Sequence, residues 1–129
     1  MKSYIIDTHV LIWDLKEDYI GNLSDNVKEI LATEKNICVS IASLWEIAIK
    51  NNLGQLDING TVYDIEKFCE ENEIAILPIK AGHLETYRHL PVIHRDPFDR
   101  MIISQALSEK MTVITKDSKI PKYDVDVIW

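Results

Sequence analysis

Apolar residues along this chain recur in two alternating rhythms. Short β-prone runs stand at Tyr4-Ile5-Ile6, Ile37-Cys38-Val39, Ile74–Leu77, Thr112–Thr115 and Val125–Ile128. Between them lie longer stretches whose apolar residues are spaced three and four apart, the signature of helices with one buried face. The pattern predicts strands near 3–6, 37–39, 74–77 and 112–115, and a short fifth at 125–128. Pro78 closes the third strand. A short helical stretch follows Asp7 to about Leu15. Ser24 is placed to cap a helix running to about Thr33, with Val27, Ile30 and Leu31 on one face. Ser40 caps the next helix, to about Asn52, with Gly54 near its end. Thr61 with Asp64 three residues on forms a capping box for a helix that turns Ile65, Phe68 and Cys69 inward. A further helix covers about 81–89. The sharpest start signal is Asp96-Pro97-Phe98-Asp99: a capping acid, a proline suited to the first helical position, and an acid in the first turn. Strands alternating with helices predict an α/β fold on a mainly parallel sheet.

Composition narrows the class. The chain has 129 residues, 47% hydrophobic and 27% charged, which fits one domain over 1–129 with its own core. Cys38 and Cys69 are far apart and lack a CxxC partner, so they read as two reduced thiols and exclude a zinc finger. The one apolar run near the start is cut by Asp7, unlike a secretion signal. No run is long enough to cross a bilayer, so the expected location is the cytoplasm. The net charge of −7 argues against a nucleic-acid ligand. That argument weakens if several acids share a metal site, because bound cations neutralise them. Basic residues also lie near the candidate acids: Lys50, Arg95, Arg100 and Lys116.

The acids fall where such a fold binds ligands. In open parallel sheets that place is beyond the carboxyl ends of the strands. Asp7 directly follows the first strand, and Asp117 follows the fourth by one residue. Glu46 is the one charged residue between Ile41 and Ile49. It lies either on an exposed stripe of that helix or inward against a partner such as a cation. Asp99 shares the face of Ile102, Ile103 and Ala106, although a first-turn acid is also favoured by the helix dipole alone. Asp96 is accounted for by capping, which leaves a carboxylate oxygen able to serve a metal. Asp117 also fits ordinary turn chemistry. Carboxylates gathered in one pocket repel each other unless cations are present, and hard oxygen ligands suit Mg²⁺ or Mn²⁺. Two such ions can drive an in-line phosphoryl displacement.

These residues form ordered segments that resemble one family. They are Ile5-Ile6-Asp7-Thr8-His9-Val10-Leu11-Ile12-Trp13, Ser40–Lys50, Leu90-Pro91, His94-Arg95-Asp96-Pro97-Phe98-Asp99-Arg100, Val113–Asp117 and the terminal Val127-Ile128-Trp129. Together they resemble the PIN-domain ribonucleases, specifically the VapC-type toxins of toxin–antitoxin pairs. The resemblance implies a three-layer domain whose parallel sheet has the order 3-2-1-4-5. It implies Asp7, Glu46 and Asp99 as core acids, Asp117 as a more variable fourth, Asp96 as an additional metal ligand, and Thr8 and Thr115 as hydrogen-bonding supports. The implied activity is Mg²⁺-dependent endoribonuclease cleavage, with Mn²⁺ able to substitute. A metal-activated water would leave 5′-phosphate and 3′-hydroxyl ends. The implied partners are an antitoxin that covers the acidic groove and carries the DNA contact, and a second copy of the toxin.

Several residues admit more than one role. Lys50 shares a helix face with Glu46 and serves as a phosphate contact or as an i,i+4 partner. Arg95 and Arg100 either grip phosphates or pair with Asp96 and Asp99. His9 and His94 have no nucleophile to activate, and a structural role is expected of each. Trp13 and Trp45 are expected in core or dimer packing, with base stacking as the alternative. A non-cleaving binding module is a rival function. So is an aspartate phosphatase or phosphoacceptor, but it would want a second Asp where His9 stands, or adjacent acids early in the chain.

Overall fold

The computed structural model describes residues 2–129, so Met1 of the expected 1–129 domain lies outside the described residues. The strands are β1 (Tyr4–Ile6), β2 (Ile37–Ser40), β3 (Ile74–Leu77), β4 (Thr112–Ile114) and β5 (Val127–Ile128). They form one sheet, parallel throughout, in the order β3-β2-β1-β4-β5. The helices are α1 (Thr8–Leu15), α2 (Asp25–Thr33), α3 (Ile41–Asn52), α4 (Val62–Glu71), α5 (Ala81–Arg88) and α6 (Pro97–Glu109).

The capping residues act as the sequence requires. Ser24, Ser40, Thr61 and Asp96 each accept a backbone N–H from the first turn of the following helix. Asp7 does the same for α1, taking the Val10 N–H at 2.9 Å. After α3 the chain reverses at Gly54, whose φ of 71° is left-handed backbone that a side chain would strain. Two 3-10 segments were not expected, Glu17–Asn22 and Ile120–Lys122. Neither is long enough to impress a helical period on the sequence.

Successive residues of β1 face opposite sides of the sheet and divide the core in two. Tyr4 and Ile6 join Val10, Leu11, Val27, Val39, Leu44, Ile47 and Ile65 on the side of α1 to α4. Ile5 joins Ile102, Ile103, Ala106, Val113, Ile120 and Tyr123 on the side of α6. Helices therefore flank the sheet on both faces. Each fully buried Ile contributes roughly 1.5–3 kcal/mol relative to an exposed one.

Strand register positions the acids. Ile6 pairs with Val39 on one side and with Ile114 on the other. β1 and β4 therefore end level, and β2 runs one residue further, to Ser40. The Asp7 N–H donates to the Ile114 carbonyl at 3.1 Å, which seats Asp7 beside Thr115. No helix among the described residues is long and apolar enough to cross a membrane.

Candidate metal centre

Asp7 emerges at the carboxyl end of β1 almost completely buried. Its Oδ1 caps α1, and its Oδ2 accepts the hydroxyl of Thr115. The same Thr115 oxygen accepts the Asp117 N–H at 3.0 Å, so one threonine links the two acids. Thr115 thus stands where the resemblance puts a support. Thr8 does not: its hydroxyl donates to Ser43 Oγ at 2.9 Å and ties α1 to α3 rather than touching an acid.

Glu46 is buried at 5% exposure, so the exposed-stripe reading of α3 is excluded. Its partner is Lys50 one turn later, at 2.9 Å. Lys50 is therefore engaged with Glu46 and is not a free cation at the groove. Asp96 caps α6 through Oδ1, at 2.8 Å from the Phe98 N–H and 3.0 Å from the Asp99 N–H. Its Oδ2 makes no hydrogen bond with the described residues. Asp117 Oδ1 accepts the N–H groups of Lys119 and Ile120, and its other oxygen faces inward.

Between Asp99 and Asp117 stands a residue that sequence reading assigned to structure. His94 Nε2 lies 3.0 Å from Asp99 Oδ2 and 3.2 Å from Asp117 Oδ2. These three side chains offer one ligand-type atom each, all within 4.8 Å of one another. The available signal was its place two residues before the capping Asp96, at the mouth of the acidic segment. The loop lacked any period that would have aimed its side chain.

The electrostatics show how closely the acids gather. Burial pushes the Asp99 carboxyl up to about 8, with further upward pressure from Asp96, Asp7, Asp117 and Glu46. All four predicted partners therefore act on the same carboxylate. Burial also raises Asp7, and the hydrogen bonds from Thr115 and Val10 oppose it. Asp117 is partly buried, which works against its charge. The hydrogen bonds from the Lys119 N–H, His94 and the Ile120 N–H prevail and hold it below the ordinary carboxylate range. A set of oxygen donors that suppress each other's ionisation fits a divalent cation, since a cation relieves both desolvation and repulsion.

Several other side chains are placed differently from expectation. Arg100 neither grips the groove nor pairs with Asp96 or Asp99. It is buried, donating to the Pro91 carbonyl at 2.9 Å and the Tyr123 hydroxyl at 3.1 Å, with its guanidinium over the Tyr87 ring. Arg95 and Lys116 are exposed, each next in sequence to a site acid. Trp45 is 60% exposed with its ring edge on Phe98, which excludes the core alternative for it and leaves interface packing or base stacking. Trp13 is half-buried against the core and Trp129, as expected. Cys69 is buried and Cys38 partly so, with burial pushing their thiols up to about 11 and about 12.

Comparison with known proteins agrees with this fold. The chain is similar in fold to VapBC2 from Rickettsia felis, solved bound to a DNA fragment from the promoter, at a TM-score of 0.70 and 18% identity. That match covers 97% of this chain and 96% of that one. VapBC-1 from nontypeable Haemophilus influenzae gives a TM-score of 0.68 at 19% identity, covering 97% and 96%. FitAcB from Neisseria gonorrhoeae gives 0.62 at 17%, covering 98% and 96%. No curated protein sequence matches the chain significantly. The family model of the PIN domain matches residues 4–126, nearly the whole chain, and with the sheet order and the acids at its carboxyl edge it establishes that this protein belongs to the PIN-domain family.

Proposed function

We propose that this protein is a Mg²⁺-dependent endoribonuclease, with Mn²⁺ as a substitute, and the toxin of a toxin–antitoxin pair. One observation carries the reading: at the carboxyl edge of the sheet Thr115 is bonded to both Asp7 and Asp117, and the ligand-type atoms of Asp117, Asp99 and His94 lie within 4.8 Å of one another. Carboxyl groups gathered at one edge oppose each other's ionisation, and a cation bound there relieves both that opposition and the cost of burial.

Asp7, Asp99 and Asp117 would hold the metal, with Glu46 and the free oxygen of Asp96 completing the donor set. A divalent cation bound there supplies a water of lowered pKa and neutralises charge on a phosphodiester. The chain's own contribution is to fix the donors. Thr115 orients Asp7, Lys50 holds Glu46, and the α6 cap fixes the turn that presents Asp99. Arg95 and Lys116, exposed beside the acids, are the candidates for contacts to RNA phosphates. Hydrolysis of this kind leaves 5′-phosphate and 3′-hydroxyl ends.

A protein partner is supported by the surface next to the acids. Trp45, Leu84 and Phe98, with Ala42, Tyr87 and Met101, line an open apolar groove of about 210 Å³. Exposed apolar patches of this sort mark interaction sites. One solved structure of this fold, from Klebsiella pneumoniae, is by name a toxin–antitoxin complex, and an antitoxin segment lying over groove and acids is the partner proposed here.

The test is cleavage of structured RNA by the purified, partner-free chain. It is run with Mg²⁺ or Mn²⁺, with EDTA, and with Asp7→Asn and Asp99→Asn. The expected result is metal-dependent cutting, absent in EDTA and in both variants. Tight RNA binding without cutting under either metal would replace the nuclease with a binding module.

A further inference from the structure

Asp99 and Asp117 reach the site from unrelated elements, the first turn of α6 and the turn after β4. Among the described residues the group that reaches both is His94, whose Nε2 is hydrogen-bonded to Asp117 Oδ2 at 3.2 Å and lies 3.0 Å from Asp99 Oδ2. We propose that His94 is a positioning residue: its Nε2–H, bonded to Asp117 and in contact with Asp99, holds the two carboxylates as a pair for a divalent cation bound through carboxylate oxygens alone. This role rests on the metal-dependent reading above.

The hydrogen bonds decide between a donor and a ligand. His94 Nδ1 accepts the Asp96 N–H at 3.2 Å, so Nδ1 carries no proton and Nε2 does. As an N–H, Nε2 donates to Asp117 Oδ2, with Asp99 Oδ2 beside it at 3.0 Å. To ligate a metal, Nε2 would have to give up its proton. In the neutral ring that proton would move to Nδ1 and face the Asp96 N–H, donor against donor. The geometry therefore places His94 outside the ligand set although its nitrogen lies within 4.8 Å of both acids' ligand atoms.

The loop that carries His94 is built to hold this ring still. The His94 and Ile93 N–H groups donate to the Tyr123 hydroxyl oxygen at 2.8 and 3.2 Å. Arg100 donates to the same oxygen and to the Pro91 carbonyl, with its guanidinium 4.9 Å from the Tyr87 ring centre. A buried arginine bonded to loop carbonyls and a phenol, without a carboxylate partner among the described residues, is costly unless the loop's order matters. Partners of metal ligands in other proteins typically change metal affinity or activity about 10–100-fold when removed, which sets the expected size.

The experiment uses the full chain and Mn²⁺ as probe. Free Mn²⁺ is titrated by electron paramagnetic resonance in wild type, His94→Leu, His94→Gln and Tyr123→Phe, with circular dichroism to show each is folded. His94→Leu should weaken Mn²⁺ binding by about 10–100-fold. His94→Gln keeps an N–H near the position of Nε2 and should recover most of the loss. Tyr123→Phe should weaken binding in the same direction by less, and it preserves the test if His94→Leu does not fold. Electron spin-echo spectra of the Mn²⁺ form should lack a directly coordinated imidazole nitrogen. Nitrogen NMR of the metal-free chain should find His94 protonated on Nε2 and bare on Nδ1. Unchanged or tighter Mn²⁺ binding in the folded His94 variants, a coordinated nitrogen, or a proton on Nδ1 would overturn the proposal. Wild type that binds no Mn²⁺ would instead sink the metal-dependent reading itself. Wild type that binds while the His94 variants match it would sink only the positioning role.

Discussion

The amino termini of α4 and α6 begin with the same local device and end with opposite electrostatics. Each has a capping residue, Thr61 or Asp96, and an aspartate three positions later, Asp64 or Asp99. Asp64 folds back on its cap and accepts the Thr61 N–H at 2.7 Å. It is exposed, and the hydrogen bonds from the Thr61 N–H and hydroxyl hold its carboxyl below the ordinary range. At α6 the equivalent cap N–H goes to His94 Nδ1 instead. Asp99 is thereby released from capping and turned to a buried cluster, where its carboxyl rises to about 8. A carboxylate's charge is set by what its surroundings leave it bonded to, not by its position in the helix.

The largest expected separation between the two aspartates is in activity. Asp99→Asn should cut RNA cleavage by at least about 100-fold, more than loss of an outer partner of a metal ligand. Asp64→Asn should leave the rate within error. Equal losses in both variants, measured under saturating Mg²⁺, would mean that Asp99 matters only for folding.

Stability against pH should separate them next, and in opposite directions. The folded-state pKa of Asp99 lies above the ordinary value of 3.8, so the folded chain holds a proton that the unfolded chain releases. The metal-free protein therefore gains from Asp99 below about pH 4, and that gain is lost as pH rises toward 8. Asp64, with its folded pKa lowered, contributes stability above about pH 4 that is lost on acidification. Thermal unfolding in EDTA should show Tm falling by several degrees from about pH 5 to 8. One kcal/mol moves Tm by roughly 3–5 °C in a domain of this size. Asp99→Asn should flatten that fall, and Mn²⁺ should restore Tm more at pH 8 than at pH 5. A flat metal-free profile in wild type would show that the acids do not share one field.

A smaller effect is expected at Lys50. Its removal leaves the Glu46 carboxylate, 6% exposed, without its cation. The Lys50 side chain is itself 35% exposed, so water recovers part of the loss, and Lys50→Ala should cost about 1–2 kcal/mol by chemical denaturation. Saturating Mn²⁺ should shrink that cost, and a cost that metal leaves untouched would place Glu46 outside the metal's reach. The smallest effect belongs to the α4 cap. Thr61→Ala should cost about 1 kcal/mol or less and change neither Mn²⁺ affinity nor cleavage.

The sequence by itself determined every strand, the six helices with four of their caps and the parallel sheet, and it singled out the candidate acids. These signals are local, carried by apolar spacing, by hydroxyl or carboxyl residues at helix starts, and by position just after a strand. The two 3-10 segments escaped because they are too short to carry a period. Tertiary structure alone decided the direction of each side chain that local pattern left open. Burial chose between the two readings of Glu46 and put Lys50 on it. Packing took Arg100 out of the groove to brace a loop, sent Thr8 to Ser43, and left Trp45 on the surface against Phe98. Above all it drew His94 between Asp99 and Asp117. That meeting joins a loop and the helix start it leads into with a strand end some twenty residues later, and such a contact has no period along the sequence by which to announce itself.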